Sequence, residues 1–203
     1  MTSLRRSRLA VAAAAFAAAA LLLSGCADQQ AGSAATLGDD RVSEQSLTAQ
    51  VEEVLAAKGQ PVTSADQSLV QQTLGRMITI RLIDRLAVRE GVDVTQGRID
   101  EQLANYDAQV GGREAVEEVF VQENVAPSQI EAIIRLQLLA QDLGIALNPS
   151  GGAEEQGQAV FVAAGALSEE LDTTVSPRYG TWDPATLALG PTPNDLSTPP
   201  ALG

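Results

Sequence analysis

The chain has 203 residues, of which 26 are acidic, 13 basic and none histidine, giving a net charge of −13. So negative a surface repels nucleic acid and anionic lipid head groups, which argues against a nucleic-acid partner. With no histidine and a single cysteine, Ser-His and Cys-His catalysis and an imidazole zinc site are excluded.

The chain opens on Arg5, Arg6 and Arg8, followed by an apolar run from Leu9 to Leu23. That run is shorter than the roughly 20 residues needed to cross a hydrocarbon core. A basic start, a short apolar stretch and small residues before a cleavage point describe a secretory signal over residues 1–25. The segment Leu23-Ser24-Gly25-Cys26 resembles the bacterial lipobox. That resemblance implies cleavage between Gly25 and Cys26, with the Cys26 thiol taking a diacylglyceryl group. Two acyl chains anchor stably where one is marginal, so the expected location is the extracytoplasmic face of the cell membrane. Lipidation would also consume the only thiol, leaving no disulfide and no thiolate nucleophile. The remaining 178 residues suffice for one domain with a core and carry 10 basic against 26 acidic side chains.

Residues 26–34 are small and polar and read as a tether. Gly38-Asp39-Asp40 then forms a turn between two extended pieces, Ala35 to Leu37 and Arg41 to Val42. Ser43 caps a helix carrying Leu47, Val51, Val54 and Leu55 at helical spacing, which runs to Lys58 and stops at Gly59-Gln60-Pro61. Ser64 or Asp66 starts a second helix that reaches about Glu90 and ends at Gly91. Its apolar residues, from Leu69 and Val70 to Leu86 and Val88, cover most of the circumference, which predicts a central, enclosed helix. Arg81, Arg85 and Arg89 line up along it and read as a solvated face paired with acids.

Thr95 caps a shorter helix with Ile99, Leu103, Tyr106 and Val110 on one face, ended by Gly111-Gly112. The next runs from Arg113 to about Asn124 and carries Val116, Val119 and Phe120. At this spacing Tyr106 and Phe120 read as core aromatics. Pro127 or Ser128 opens a long helix with Ile130, Ile133, Ile134, Leu136, Leu138, Leu139 and Leu143 as its apolar set. A loop at 148–157 precedes a last helix, about Glu154 to Leu171, packing through Val160, Phe161, Ala164 and Leu167. The β-branched LDTTVSP reads as a strand with VSPRYGTWDP as its continuation, and residues 185–203, with four prolines, read as a disordered tail.

A lone strand leaves its own backbone groups unpaired. The other extended material lies at Ala35 to Val42, so the two ends of the domain are expected to meet in a small sheet, with Tyr179 and Trp182 packing where the chain closes. The export signal, the opening AATLGDDRVS, REGVDVTQGRIDEQLA and PSQIEAIIRLQLLAQDL together resemble the N-terminal helical module of the SurA and PrsA chaperones. They are more similar still to actinobacterial lipoproteins that carry this module alone and close it with Asn-Pro-Arg-Tyr-Gly-x-Trp/Phe-Asp. Pro177, Arg178, Tyr179, Gly180, Trp182 and Asp183 fit that segment, with Ser176 in place of the asparagine.

The resemblance implies a mainly α fold over residues 35–184, with a long central helix and a small sheet pairing the terminal strands. It also implies a chaperone role, holding unfolded or extended exported polypeptides in an apolar cradle. Relatives with prolyl isomerase activity carry a further parvulin domain. Here only NPSGGAEEQG separates the last two helices and no histidine is present, so isomerase activity is not expected. The carboxylate doublets, Glu52-Glu53 and Glu117-Glu118 among them, point about 100° apart on a helix and read as solvated faces, not an acid–base pair. No phosphate-loop, dinucleotide or calcium-loop pattern appears, so no cofactor, metal or enzymatic activity is expected. An envelope adaptor docking one folded partner is the alternative, and a carboxylate hydrolase a minor third.

Overall fold

The computed structural model describes residues 32–192. The expected signal peptide, the cleavage site at Gly25 and Cys26, residues 26–31 of the expected tether, and residues 193–203 lie outside the described residues.

Two short strands, β1 (Ser33–Leu37) and β2 (Asp40–Ser43), are joined by a tight turn at Gly38, where φ is +59°. The first strand therefore begins two residues inside the stretch expected to be tether, because Ala34 and Ala35 are buried. Six α-helices follow among the described residues: α1 (Glu44–Ala57), α2 (Gln67–Glu90), α3 (Gln96–Val110), α4 (Arg113–Gln122), α5 (Ile130–Leu147) and α6 (Ala153–Glu170). Then come β3 (Thr174–Val175), β4 (Trp182–Asp183) and β5 (Ala188–Leu189).

Local chemistry sets the helix ends. The Ser43 hydroxyl accepts from Ser46 N at 3.0 Å, and the Asp66 carboxylate accepts from Leu69 N at 2.8 Å. Gly91, at φ +68°, closes α2 in the left-handed conformation that a side chain disfavours. The N-H of Gly152 donates to the Glu155 carboxylate at 2.9 Å, tying down the start of α6.

The central helix is α2. Leu74, Ile78, Leu82 and Leu86 are fully enclosed, and the helix packs on α1, α5 and α6. Val88 departs from the expected all-round burial and is 82% exposed: Leu86 and Ala87 beside it are buried, so Val88 lies on the solvent side of a turn whose other face is covered. A hairpin of α5 and α6 forms the other half of the body. At its crossing a Cβ on Gly144 would lie 2.9 Å from the Gln156 Cβ, so the close approach requires glycine. Val160, Ala164 and Leu167 of α6 are buried as expected, whereas Phe161, one residue round the helix, is 38% exposed.

The ends of the domain meet. β1 pairs antiparallel with β3 in the register Ala35↔Val175 and Thr36↔Thr174, giving the sheet order β2-β1-β3. The Thr36 and Thr174 hydroxyls are 2.8 Å apart across that pair, and Gly38 N donates to Leu171 O at 2.8 Å. The strand does not continue through Trp182. Pro177, with no donor for a ladder, starts a 3-10 turn over Pro177–Tyr179, and β4 pairs with β5 in a separate hairpin. Residues 185–192 are accordingly part of the fold instead of disordered tail. Asp183 accepts from Ala185 N and the Thr186 hydroxyl, both at 2.9 Å, which turns the chain so that Leu187 and Leu189 pack against the core.

Candidate functional site

The residues of the terminal motif come together as a clasp across α2 and α6. Trp182 is buried, and its indole N-H donates to the enclosed Ser168 hydroxyl of α6 at 2.8 Å. The Gln71 amide of α2 donates to Tyr179 O at 2.8 Å and to Gly190 O at 3.2 Å. Gly180 sits at φ +126°, and a Cβ there would lie 2.4 Å from Gly190 O. A Cβ on Gly165 of α6 would lie 2.7 Å from Pro184 O, so the clasp also needs a bare helix surface beneath it. Arg178 stacks over the Tyr179 ring at 4.8 Å from its centre, donates to the Tyr179 hydroxyl and pairs with Glu44 at the start of α1. Pro177, Arg178, Tyr179, Gly180, Trp182 and Asp183 thus hold the last described segment against α2 and α6.

The surface able to receive a ligand lies elsewhere, where α3, α4 and α5 converge. The α3–α4 turn relies on Gly111 and Gly112, at φ +102° and +119°, and Arg113 braces it by gripping the Asp107 carboxylate through Nε and Nη2, each at 3.0 Å. At its far end α4 is pinned by Arg76 of α2, which donates to Asn124 O at 2.6 Å and Glu123 O at 3.1 Å. Burial lowers the Arg76 guanidinium's affinity for its proton, with Glu123 opposing, and an arginine stays charged under that perturbation. Lys58 and Gln72 hold the Asn124 side chain, and Glu53 accepts from Ser128 N at 2.8 Å and its hydroxyl at 2.6 Å, fixing the approach to α5.

Between these fixed ends runs a groove of about 470 Å³. Tyr106 and Val110 of α3, Val116, Val119 and Phe120 of α4, and Val125 and Ile133 toward α5 line it. Tyr106 and Phe120 meet edge to face, ring centres 6.2 Å apart at 79°, and the Tyr106 hydroxyl donates to Gln137 at 3.0 Å. Val110 and Val119, expected on packed helix faces, are 43% and 49% exposed, and Tyr106 and Phe120 are only half-buried. The reason is that α4 packs chiefly on α3 and on the turn at Pro127–Gln129, while α3 also packs on α5, which leaves the outer sides of Val110 and Val119 uncovered by the other described residues. The groove is set in an acidic surround: from Gln96 to Glu123 the chain has seven acids against Arg98 and Arg113, which are held by Asp142 and Asp107.

Arg81 and Arg89 of the arginine ridge pair with Asp40 at 3.5 Å and Glu170 at 3.0 Å. Among the described residues no cluster of three carboxylates or thiols is placed to hold a metal ion, and no helix is long and apolar enough to cross a membrane. No protein-family model, no curated protein and no solved structure matches this chain, so its site rests on its own geometry.

Proposed function

We propose that the chain is a membrane-anchored, extracytoplasmic chaperone-like lipoprotein that holds unfolded or extended exported polypeptides in the groove between α3, α4 and α5, without catalysis. The lipid on Cys26 would keep it at the membrane, and a SurA-like body would present the groove. The observation that carries this reading is apolar, half-exposed surface gathered in one channel on a strongly acidic scaffold. Exposed valines and aromatic edges give unfolded chains non-directional contact, while like charge on the exterior keeps loaded molecules apart. Covering the exposed halves of Val110 and Val119 under a client stabilises the complex by on the order of 1 kcal/mol each.

The test is suppression of aggregation, by the purified chain at near-stoichiometric ratio, of several unrelated chemically unfolded proteins. Protection of most of them, lost in Val119→Glu, is the expected result. If none is protected, the chaperone role fails, and recovery of one folded partner from the native envelope would establish a dedicated adaptor instead.

A further inference from the structure

Two charged side chains line the groove, Arg76 and Glu123, and the fold uses them differently. Arg76 is half-buried, and its guanidinium is turned into main chain: Nη1 donates to Asn124 O at 2.6 Å and Nη2 to Glu123 O at 3.1 Å. Those oxygens stand at the C-terminal end of α4, where the helix dipole gathers about half a negative charge. The cation is therefore balanced by the helix end that it caps. Glu123 is gripped through its backbone oxygen, which leaves its carboxylate exposed in the groove wall. Arg76 acts on that carboxylate at a distance, and among the described residues no hydrogen bond or ion pair engages it.

A ligand in the groove thus meets apolar surface with one available negative group. Val119 and Phe120 precede Glu123 by four and three residues, on one face of the helix with it. Four residues of helix rise about 6 Å. In an extended chain, side chains on one face recur at every second residue, about 7 Å apart. An apolar residue seated over Val119 and Phe120 therefore brings the side chain two positions along over the Glu123 carboxylate. The wider surface agrees in sign. Glu101, Glu114, Glu117 and Glu118 are exposed on α3 and α4, whereas Arg98 and Arg113 are held by Asp142 and Asp107. Such a face draws a cationic segment toward it and turns an anionic one away.

We propose that the groove selects extended segments in which a lysine or arginine stands two residues from an apolar side chain. Val119 and Phe120 cover the apolar group, and the Glu123 carboxylate receives the cation. This names the client class of the holding role proposed above and rests on that role.

Three fluorescein-labelled peptides test it by anisotropy against the purified full-length chain. The first is Lys-Ser-Phe-Ser-Leu-Ser-Lys, with a lysine at each end so that either chain direction is served. The others carry Gln or Glu in place of both lysines. At about 150 mM salt the Debye length is about 8 Å, so distant charges are screened and contact with Glu123 decides. The lysine peptide should bind about threefold more tightly than the glutamine peptide, as one exposed ion pair allows, and the glutamate peptide more weakly than either. Glu123→Gln should bring the lysine and glutamine peptides within about 1.5-fold of each other. Glu118→Gln, which removes the same charge outside the groove lining, should preserve the order, and both variants should keep the urea midpoint of the natural chain. Val119→Ser should weaken all three peptides alike. Equal affinities for the natural chain, an order that survives Glu123→Gln, or no binding at millimolar peptide would each overturn the selectivity. Aggregation suppression by the natural chain separates the two ideas. Protection of unfolded proteins alongside equal peptide affinities removes the selectivity and keeps the chaperone role, and ordered peptide binding without protection removes the chaperone role.

Discussion

Replacing Trp182 by Phe probes the clasp at its anchor. The indole N-H donates to the Ser168 hydroxyl at 2.8 Å, and Ser168 is 1% exposed, so water has no route to take the donor's place. Phe retains one ring but removes the donor and leaves a small void. An orphaned buried hydroxyl costs about 1–3 kcal/mol. The void adds on the order of 1 kcal/mol, for a loss of about 2–4 kcal/mol in all. In a body of this size that corresponds to a fall of about 5–15 °C in Tm. Urea unfolding followed by circular dichroism at 222 nm suits the comparison, since the substitution removes the only tryptophan and with it the tryptophan fluorescence. Ser168→Ala alone should also destabilise, by stranding the indole N-H. The double variant should then be more stable than the sum of the two losses predicts, by about 1 kcal/mol or more. Strict additivity, or a loss for Trp182→Phe below about 0.5 kcal/mol, would show that the bond does not hold the clasp.

Other substitutions test the remaining joints. Gly180→Ala should cost about 3 kcal/mol, because it places a Cβ against Gly190 O in a backbone region open essentially to glycine alone; a urea midpoint like that of the unaltered chain would refute this. Glu53→Ala removes both acceptors that hold Ser128 in the turn leading into α5 and should lower stability by about 1 kcal/mol by the same assay. Cys26→Ala should move the protein from the membrane pellet to the soluble fraction of fractionated cells, and unchanged partition would remove the lipid anchor from the proposal.

Several helix limits were legible because one side chain or one glycine marks them. Ser43 caps as read, Asp66 is the one of Ser64 and Asp66 that caps α2, and Gly91 ends that helix, whereas Thr95 precedes α3 without a side-chain cap bond. The meeting of β1 and β3 was legible for a different reason: two extended pieces with backbone groups to satisfy had no other partners to choose from. The hairpin of β4 and β5 was not legible. ATLALG between prolines offers too short an alternation to read as a strand, and its order comes from Asp183 turning the chain and from Gly75, whose bare surface admits Leu189. Ser168 gave no signal either, since a serine on an amphipathic helix looks solvated until an indole arrives above it. The groove was hidden most thoroughly. Tyr106, Val110, Val119 and Phe120 have core spacing, and spacing reveals which way a residue faces but not whether any other element lies opposite.

The pairing of Thr36 with Thr174 joins residues 138 positions apart. A ribosome delivers the N-terminal strand first, and nearly the whole body must be made before the other half of the pair exists. Neighbouring helices can meanwhile collapse through local contacts, which close fast. The β1–β3 pair cannot close until Thr174 has been made, and until then the edge of β1 away from β2 is unpaired. A product cut short, by interrupted translation or by proteolysis ahead of Thr174, would keep that edge open and reveal itself by aggregating.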